Sequence, residues 1–298
     1  MTKLIPIRGT RIYIEEFGEA GKETLLYLHG GPGASCIDFT YHQALALSSS
    51  IRVIAIDQRG VLRSDPILKE DSFGVQDIIE DCEELRRTLG IERWSVLGHS
   101  FGGYIALMYA SQYPDAVKKV MYEAPMFDQT LSMKSLFRRA LPLFEQENQT
   151  DRVQECIQYI DGSFSPSELW EAWIRIGNLL GNRRDEVYFH GIDPSEYNAI
   201  FENTYLTEDQ WGRSYVHGRR LQEEGKLFES LLPLLPQVEH PSLLLSGKYD
   251  PVCCEEQTHA FRDLTPNGRI VVFENSGHFP RIEEPSKYTD EVLKFILE

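Results

Sequence analysis

Five residues, Gly98-His99-Ser100-Phe101-Gly102, place the tightest constraint on how this chain can fold. They lie where an apolar, strand-like run at residues 94–97 meets a helical pattern at 103–112. A strand that turns directly into a helix pushes the serine out at the C-terminal edge of a sheet, where a base can reach its hydroxyl. Such a turn is strained and neighbouring backbones pass close to it, which accounts for the flanking glycines. The spacing alone is a moderately specific signal. Its place between strand and helix, and the elements that accompany it in order, make Ser100 a candidate nucleophile.

The rest of the chain supplies a frame for that turn. Residues 4–7 and 11–17 read as an opening hairpin, followed by strand-like runs at 25–28, 51–56, 94–97 and 117–122. Helical patterns at 75–89 and 103–112 separate them. Apolar strands alternating with amphipathic helices predict an α/β fold, with a mostly parallel sheet covered by helices on both faces. The alternation stops after Pro125, and residues 127–236 read as helical, aromatic and charged, with no convincing strand. It resumes at 242–245 and 270–273 and closes with a helix at 285–297, where Pro285 suits the first turn. The expected organisation is a core of residues 1–126 and 237–298, with a helical cap of residues 127–236 inserted between the sixth and seventh core strands.

Composition narrows the function classes. The 298 residues carry a net charge of −16, which argues against nucleic acid and anionic membrane surfaces as partners. The N-terminal residues have no apolar core of a signal peptide, and no apolar stretch approaches the ~20 residues of a spanning helix, so a cytoplasmic protein is expected. Five cysteines (Cys36, Cys82, Cys156, Cys253, Cys254) show no metal-ligand spacing and read as free thiols, the adjacent pair as two small buried side chains. With no zinc, phosphate-loop or dinucleotide signature, neither a metal nor a cofactor is expected. The oligomeric state is left open.

A serine nucleophile needs a histidine to take its proton and a carboxylate to fix that histidine's tautomer. In open α/β sheets these come from loops at the C-terminal ends of strands. Asp250 follows the run at 242–245 and His278 follows the last one, giving the order Ser100, Asp250, His278 that such a sheet requires. Read singly, Asp250 is a turn residue before Pro251 and His278 a loop or core histidine; together, in order and at strand ends, they read as acid and base. Glu123, at another strand end, is a rival acid. His99 reads as structural, and His29 as ordering its own loop. The oxyanion of an acyl-transfer intermediate needs two backbone N–H donors. Phe101, after the nucleophile, supplies one candidate, and Gly31 in His29-Gly30-Gly31-Pro32-Gly33 the other.

With these motifs assembled, the chain resembles the α/β-hydrolase fold family, and within it the proline iminopeptidase (prolyl aminopeptidase) group. The resemblance rests on His29-Gly30-Gly31-Pro32-Gly33, Asp57-Gln58-Arg59-Gly60 with Arg63-Ser64, and Gly98-His99-Ser100-Phe101-Gly102-Gly103. Gly247-Lys248-Tyr249-Asp250, Ser276-Gly277-His278 and Glu283-Glu284-Pro285 extend it. It covers roughly residues 10–125 and 240–298 and is weak across the cap. It implies a serine hydrolase acting through an acyl-enzyme, releasing N-terminal residues, proline preferred, from short peptides. Phe101 stands where the group usually has Trp, and Val61-Leu62-Arg63 where Cys-Gly-Arg is common; these departures bear on the substrate rather than the chemistry. Phe201-Glu202-Asn203-Thr204-Tyr205 is similar to the group's Glu-Asn-x-Tyr stretch, which implies that Glu202 holds the substrate's α-ammonium; the plain alternative is a solvated helical carboxylate. Trp170 and Trp173 are candidates for the pocket wall or for packing of the cap on the core, and Tyr205 and Trp211 share that ambiguity. A capped carboxylesterase on small acyl esters and a non-catalytic ligand receptor on the same scaffold remain as alternatives.

Overall fold

The computed structural model describes residues 2–202 and 204–298. Eight strands form one sheet in the order β1-β2-β4-β3-β5-β6-β7-β8. β1 (Thr2–Ile7) and β2 (Thr10–Phe17) make the antiparallel hairpin, with Ile5 opposite Ile12. Its two turn residues, Arg8 and Gly9, have φ of 42° and 80°, the turn geometry whose twist matches paired strands. After β3 (Thr24–Leu28) comes β4 (Arg52–Asp57), to which β2 pairs antiparallel. All later pairings are parallel, through β5 (Trp94–His99), β6 (Val117–Glu123), β7 (Ser242–Gly247) and β8 (Gly268–Phe273).

The inner strands β3 to β7 are buried at nearly every position and apolar along most of their length, because both faces of the sheet are covered. Successive residues point to opposite sides: Leu26, Leu28, Ile54, Ile56 and Val96 enter one core, while Leu25, Tyr27, Val53, Ala55 and Leu97 enter the other. Burying one such side chain contributes roughly 1.5–3 kcal/mol. A one-residue slip would exchange the two sets, so the register is strongly specified.

Helices follow from the periodicity around these strands. α1 (Ile37–Phe39) and α2 (Leu45–Ser48) place Phe39 and Leu47 in the second core. On the first face, α3 (Val75–Thr88) buries Val75, Ile78, Ile79, Cys82 and Leu85, a stripe at helical spacing. α4 (Phe101–Gln112) is buried along nearly its whole length, and it starts at Phe101 rather than Gly103, because the glycines that hide its periodicity form its first turn.

Between β6 and β7 the described residues form helices and no strand. α5 (Gln129–Gln146) starts at Asp128, whose carboxylate accepts the Leu131 N–H at 2.9 Å. α6 (Thr150–Asp161) and α7 (Pro166–Leu179) follow, the latter opened by a reciprocal Ser165–Glu168 cap and by Pro166 at its first position. α8 (Pro194–Glu202) buries no residue fully. α9 (Glu208–Glu224) is capped by Thr207 with Gln210 and ends at Gly225, with φ of 88°. One face of α9 lies on the loop after β4: Arg213 donates to Ser64 O (3.1 Å), His217 Nδ1 to Arg59 O (2.7 Å) and Arg220 to Asp71 O (2.6 Å). α10 (Glu255–Leu264), α11 (Pro280–Glu283) and α12 (Pro285–Leu297) complete the chain, with Tyr288, Val292, Phe295 and Ile296 of α12 in the second core.

Candidate active site

Ser100 stands between β5 and α4 at φ 54°, ψ −119°. A non-glycine residue outside the left-handed basin in ψ carries strain of roughly 1–3 kcal/mol. The surroundings over-determine it: Ser100 N–H donates to Glu123 O (2.9 Å), and Ser100 O accepts from Gly103 N–H (2.9 Å) and Met126 N–H (3.2 Å). The glycines are steric necessities. A Cβ on Gly98 would collide with the Gly102 carbonyl, and one on Gly102 with the Leu28 carbonyl.

His278 and Asp250 arrive from the ends of β8 and β7. His278 Nδ1 lies 2.9 Å from Asp250 Oδ1, and both residues are buried. The carboxylate also accepts N–H bonds from Val252 (2.8 Å) and Cys253 (3.0 Å), so it receives rather than donates, and Nδ1 bears the proton. That leaves Nε2 as the basic nitrogen. The His278 backbone is held at both ends: its N–H donates to Tyr188 O (2.7 Å) and its carbonyl lies 3.0 Å from His99 Nε2. His99 therefore carries its proton on Nε2. Burial first, then the Arg281 guanidinium, pushes the His99 pKa well below its ordinary value, so the ring is a neutral strut.

The loop after β3 brings Gly30 and Gly31 to the serine; a Cβ on Gly30 would sit 2.9 Å from Ser100 Cβ. Gly31, at φ 112°, has a conformation open to glycine. Phe101 is the first residue of α4, where an N–H has no intrahelical acceptor. The loop after β4 buttresses this arrangement. Gln58 N–H donates to His29 Nε2 (3.0 Å), which fixes the His29 proton on Nδ1, 2.9 Å from Gly30 O. Burial pushes the His29 pKa down, in keeping with a neutral ring. Asp57 accepts from Ser35 Oγ (2.6 Å), Cys36 N–H (3.1 Å) and Arg63 Nε (2.6 Å). Burial alone would raise the Asp57 carboxyl; Arg63 outweighs it and leaves the pKa below the ordinary value.

Ser100 and His278 open on one cavity of about 310 Å³, whose wall includes Gly30, Gly31, Trp170, Trp173, Tyr188 and Tyr197. Trp170 and Trp173 are thus brought to the site; Trp173 also donates from Nε1 to the Tyr188 hydroxyl at 3.0 Å. Glu202 and Tyr205 are not. Glu202 is exposed at the end of α8, and Tyr205 is fully exposed and borders a separate surface depression with Tyr41 and Leu206. Asn203, between them in the motif, lies outside the described residues. The cause is helix phase. Tyr197 is the α8 residue that reaches the cavity, and five residues further the helix has turned about 500°, roughly 140° away from it. The carboxylates that do line the cavity are Asp38 and Asp185.

Residues 23–285 match the family described as alpha/beta hydrolase fold. The chain belongs to the alpha/beta hydrolase fold family. A curated relative from Heyndrickxia coagulans, named proline iminopeptidase, is 29% identical over 296 residues, covering 98% of this chain and 97% of the relative. Among solved structures, a proline iminopeptidase-related protein of Thermus thermophilus superposes with a TM-score of 0.73 at 22% identity, covering 100% of this chain and 97% of that one. An esterase from Exiguobacterium antarcticum gives 0.71 at 24% identity, covering 100% of each chain. At these identities the two structures speak for the fold alone. Among the described residues no helix is long and apolar enough to cross a membrane.

This member of the hydrolase-fold family also carries a buried charge cluster beside its cavity. Arg281, 1% exposed, lies between Glu123 (Nη1 to Oε1, 2.9 Å) and Asp38. Glu123 further accepts from the Tyr288 hydroxyl at 2.9 Å, so it is spent on Arg281 and Tyr288, while Asp250 is the carboxylate on His278. Burial raises the Glu123 pKa, although Arg281 works against it. Sequence reasoning missed this cluster: Glu123 closing an apolar strand was a signal, but nothing in Phe279-Pro280-Arg281 marked its partner.

Proposed function

We propose that the chain is a serine hydrolase that works through an acyl-Ser100 intermediate and releases N-terminal residues, proline first, from short peptides. The observation that carries this is the His278–Asp250 pair at 2.9 Å, with His278 sharing a cavity with a strained Ser100. Ser100 Oγ attacks the scissile carbonyl as His278 Nε2 takes its proton; Asp250 holds the imidazole in the required tautomer and offsets its charge. The N–H groups of Phe101 and Gly31 receive the oxyanion. His278 then gives its proton to the leaving amine, and water, activated by the same nitrogen, hydrolyses the ester.

In this reading residues 127–236 form a cap that roofs the site and limits substrates to small molecules and short peptides. The relatives named proline iminopeptidase support removal of an N-terminal residue. A free amine needs a carboxylate close to Ser100. Asp185, half-buried on the cavity wall and held by Asn198 Nδ2 at 3.0 Å, replaces Glu202 as the candidate, since Asp38 is engaged by Arg281. A second reading, a carboxylesterase acting on small acyl esters, draws on the largely apolar wall of Met126, Met133, Leu136, Trp170, Ile174 and Val252.

The test is a side-by-side assay of proline arylamide, N-blocked proline arylamide and a short-chain nitrophenyl ester. Cleavage of the free arylamide and not the blocked one is expected. Asp185→Asn should lower kcat/KM for that arylamide by about 10–100-fold and leave any ester turnover within about 3-fold. Ester turnover with neither arylamide cleaved would discard the peptidase. No covalent labelling by a fluorophosphonate, together with tight ligand binding, would favour a receptor.

A further inference from the structure

We propose that Glu283 is a positioning residue: its carboxylate latches the loop that carries His278 to residues 188–191, so that seating of that segment and alignment of the base are one event. The proposal rests on the reading of His278 as the base. Glu283 closes α11, just beyond the histidine. Its Oε1 accepts the N–H groups of His190 (2.6 Å) and Gly191 (2.9 Å); its Oε2 accepts those of Gly277 (2.7 Å) and Phe279 (3.4 Å). A carboxylate has about four lone-pair sites. Here they are divided evenly, two for each loop.

The remaining contacts between the loops point the same way. His278 N–H donates to Tyr188 O at 2.7 Å, and a Cβ on Gly277 would collide with that same carbonyl. The Phe189 and Phe279 rings stack at 4.6 Å, and the Tyr188 ring lies 5.7 Å from that of His278. Tyr188 and Phe189 are also cavity wall. A substrate that displaces this wall therefore pulls on the backbone of His278, and one that fits leaves the base in line with Ser100. Only a carboxylate serves both loops: a glutamine offers one acceptor oxygen, and its NH₂ would face N–H groups left without a partner.

Glu283→Gln is the decisive variant, with Glu283→Asp, whose shorter side chain cannot span both loops fully, as the second should the first not fold. Each is compared with wild type for fluorophosphonate labelling of Ser100, for kcat and KM on whichever arylamide or ester wild type turns over, and for amide hydrogen exchange. Misplacement of a catalytic group by about 1 Å costs up to about 100-fold. The expected result is a labelling rate and kcat lowered about 10–100-fold with KM within about 3-fold, less severe for Asp. Exchange should rise together at residues 188–191 and 275–279 while α9 and β5 keep their protection. Labelling as fast as wild type, or exchange rising in one segment only, overturns the latch. An unlabelled wild type instead overturns the hydrolase reading beneath it.

Discussion

Replacing His217 with asparagine tests how α9 is joined to the loop after β4. His217 is fully buried on the face of α9 that meets the loop after β4. A carbonyl can only accept, so the 2.7 Å contact with Arg59 O fixes the proton on Nδ1. Nε2 has no partner, and a second proton would sit there with nothing to receive it. Burial pushes the pKa down to about 3; the Arg59 carbonyl opposes this and His29 adds to it. In the unfolded chain the imidazole titrates near ~6.5. The folded value is thus depressed: this contribution is fully present above the unfolded value and is lost as pH falls from about 6.5 towards the folded value, because only the unfolded chain takes up the proton. The slope approaches about 1.4 kcal/mol per pH unit, and at about pH 5 the loss reaches about 2 kcal/mol. Asparagine keeps an N–H near the Nδ1 position and does not titrate. In urea unfolding at about pH 7.5 and about pH 5, wild type should lose about 2 kcal/mol more stability than His217→Asn. Equal losses would refute the claim that the folded protein holds this ring neutral.

Two substitutions probe the turn itself. Ser100→Ala and Ser100→Gly should both abolish turnover, but the glycine variant should be the more stable by about 1 kcal/mol in denaturant unfolding, because relief of roughly 1–3 kcal/mol of strain exceeds the 0.5–1 kcal/mol of added chain entropy. No gain over alanine would mean that the φ of 54° carries no strain. Gly98→Ala should cost about 2–4 kcal/mol and suppress fluorophosphonate labelling, since the added methyl meets the Gly102 carbonyl and lies 2.6 Å from Gly103 N. A stable, fully labelled variant would count against the close packing described.

The sheet was legible because its inner strands are largely apolar and helices such as α3 are striped, two signals that survive in local sequence. Asp250 and His278 could be located because a parallel sheet sends every strand end to the same edge, so position along the chain implies position in space. The loop after β4 was legible only as a motif. Its use, with Gln58 orienting His29 and with Asp57, held by Arg63, accepting from Ser35 Oγ and the Cys36 N–H, depends on which backbone N–H groups face it. Glu283 was likewise visible only as part of a motif; its contacts were hidden, because its partners are four amides and an amide has no sequence signature. Arg281 was hidden because a buried cation is identified by its counter-charges, and Asp38 and Glu123 lie 243 and 158 residues away along the chain.

Glu202 failed for a different physical reason. Spacing along a helix fixes the angle between two residues but not the phase of the helix about its own axis, which is set by the residues that pack. α8 has no fully buried residue to declare that phase. Its aromatic contacts settle it: Tyr197 packs against Phe189 (5.3 Å) and Phe279 (5.2 Å), and Phe201 turns towards Trp211 (6.0 Å). With Tyr197 facing the cavity, Glu202 must face water, whatever its neighbours in the motif. In the proposed peptidase, charge recognition of a substrate amine would then fall to a carboxylate on the cavity wall. Asp185, on the wall of the cavity that Ser100 and His278 share, is the carboxylate proposed for that role. A variant at Asp185 should therefore disturb selectivity for the free amine, and one at Glu283 the chemical step for every substrate.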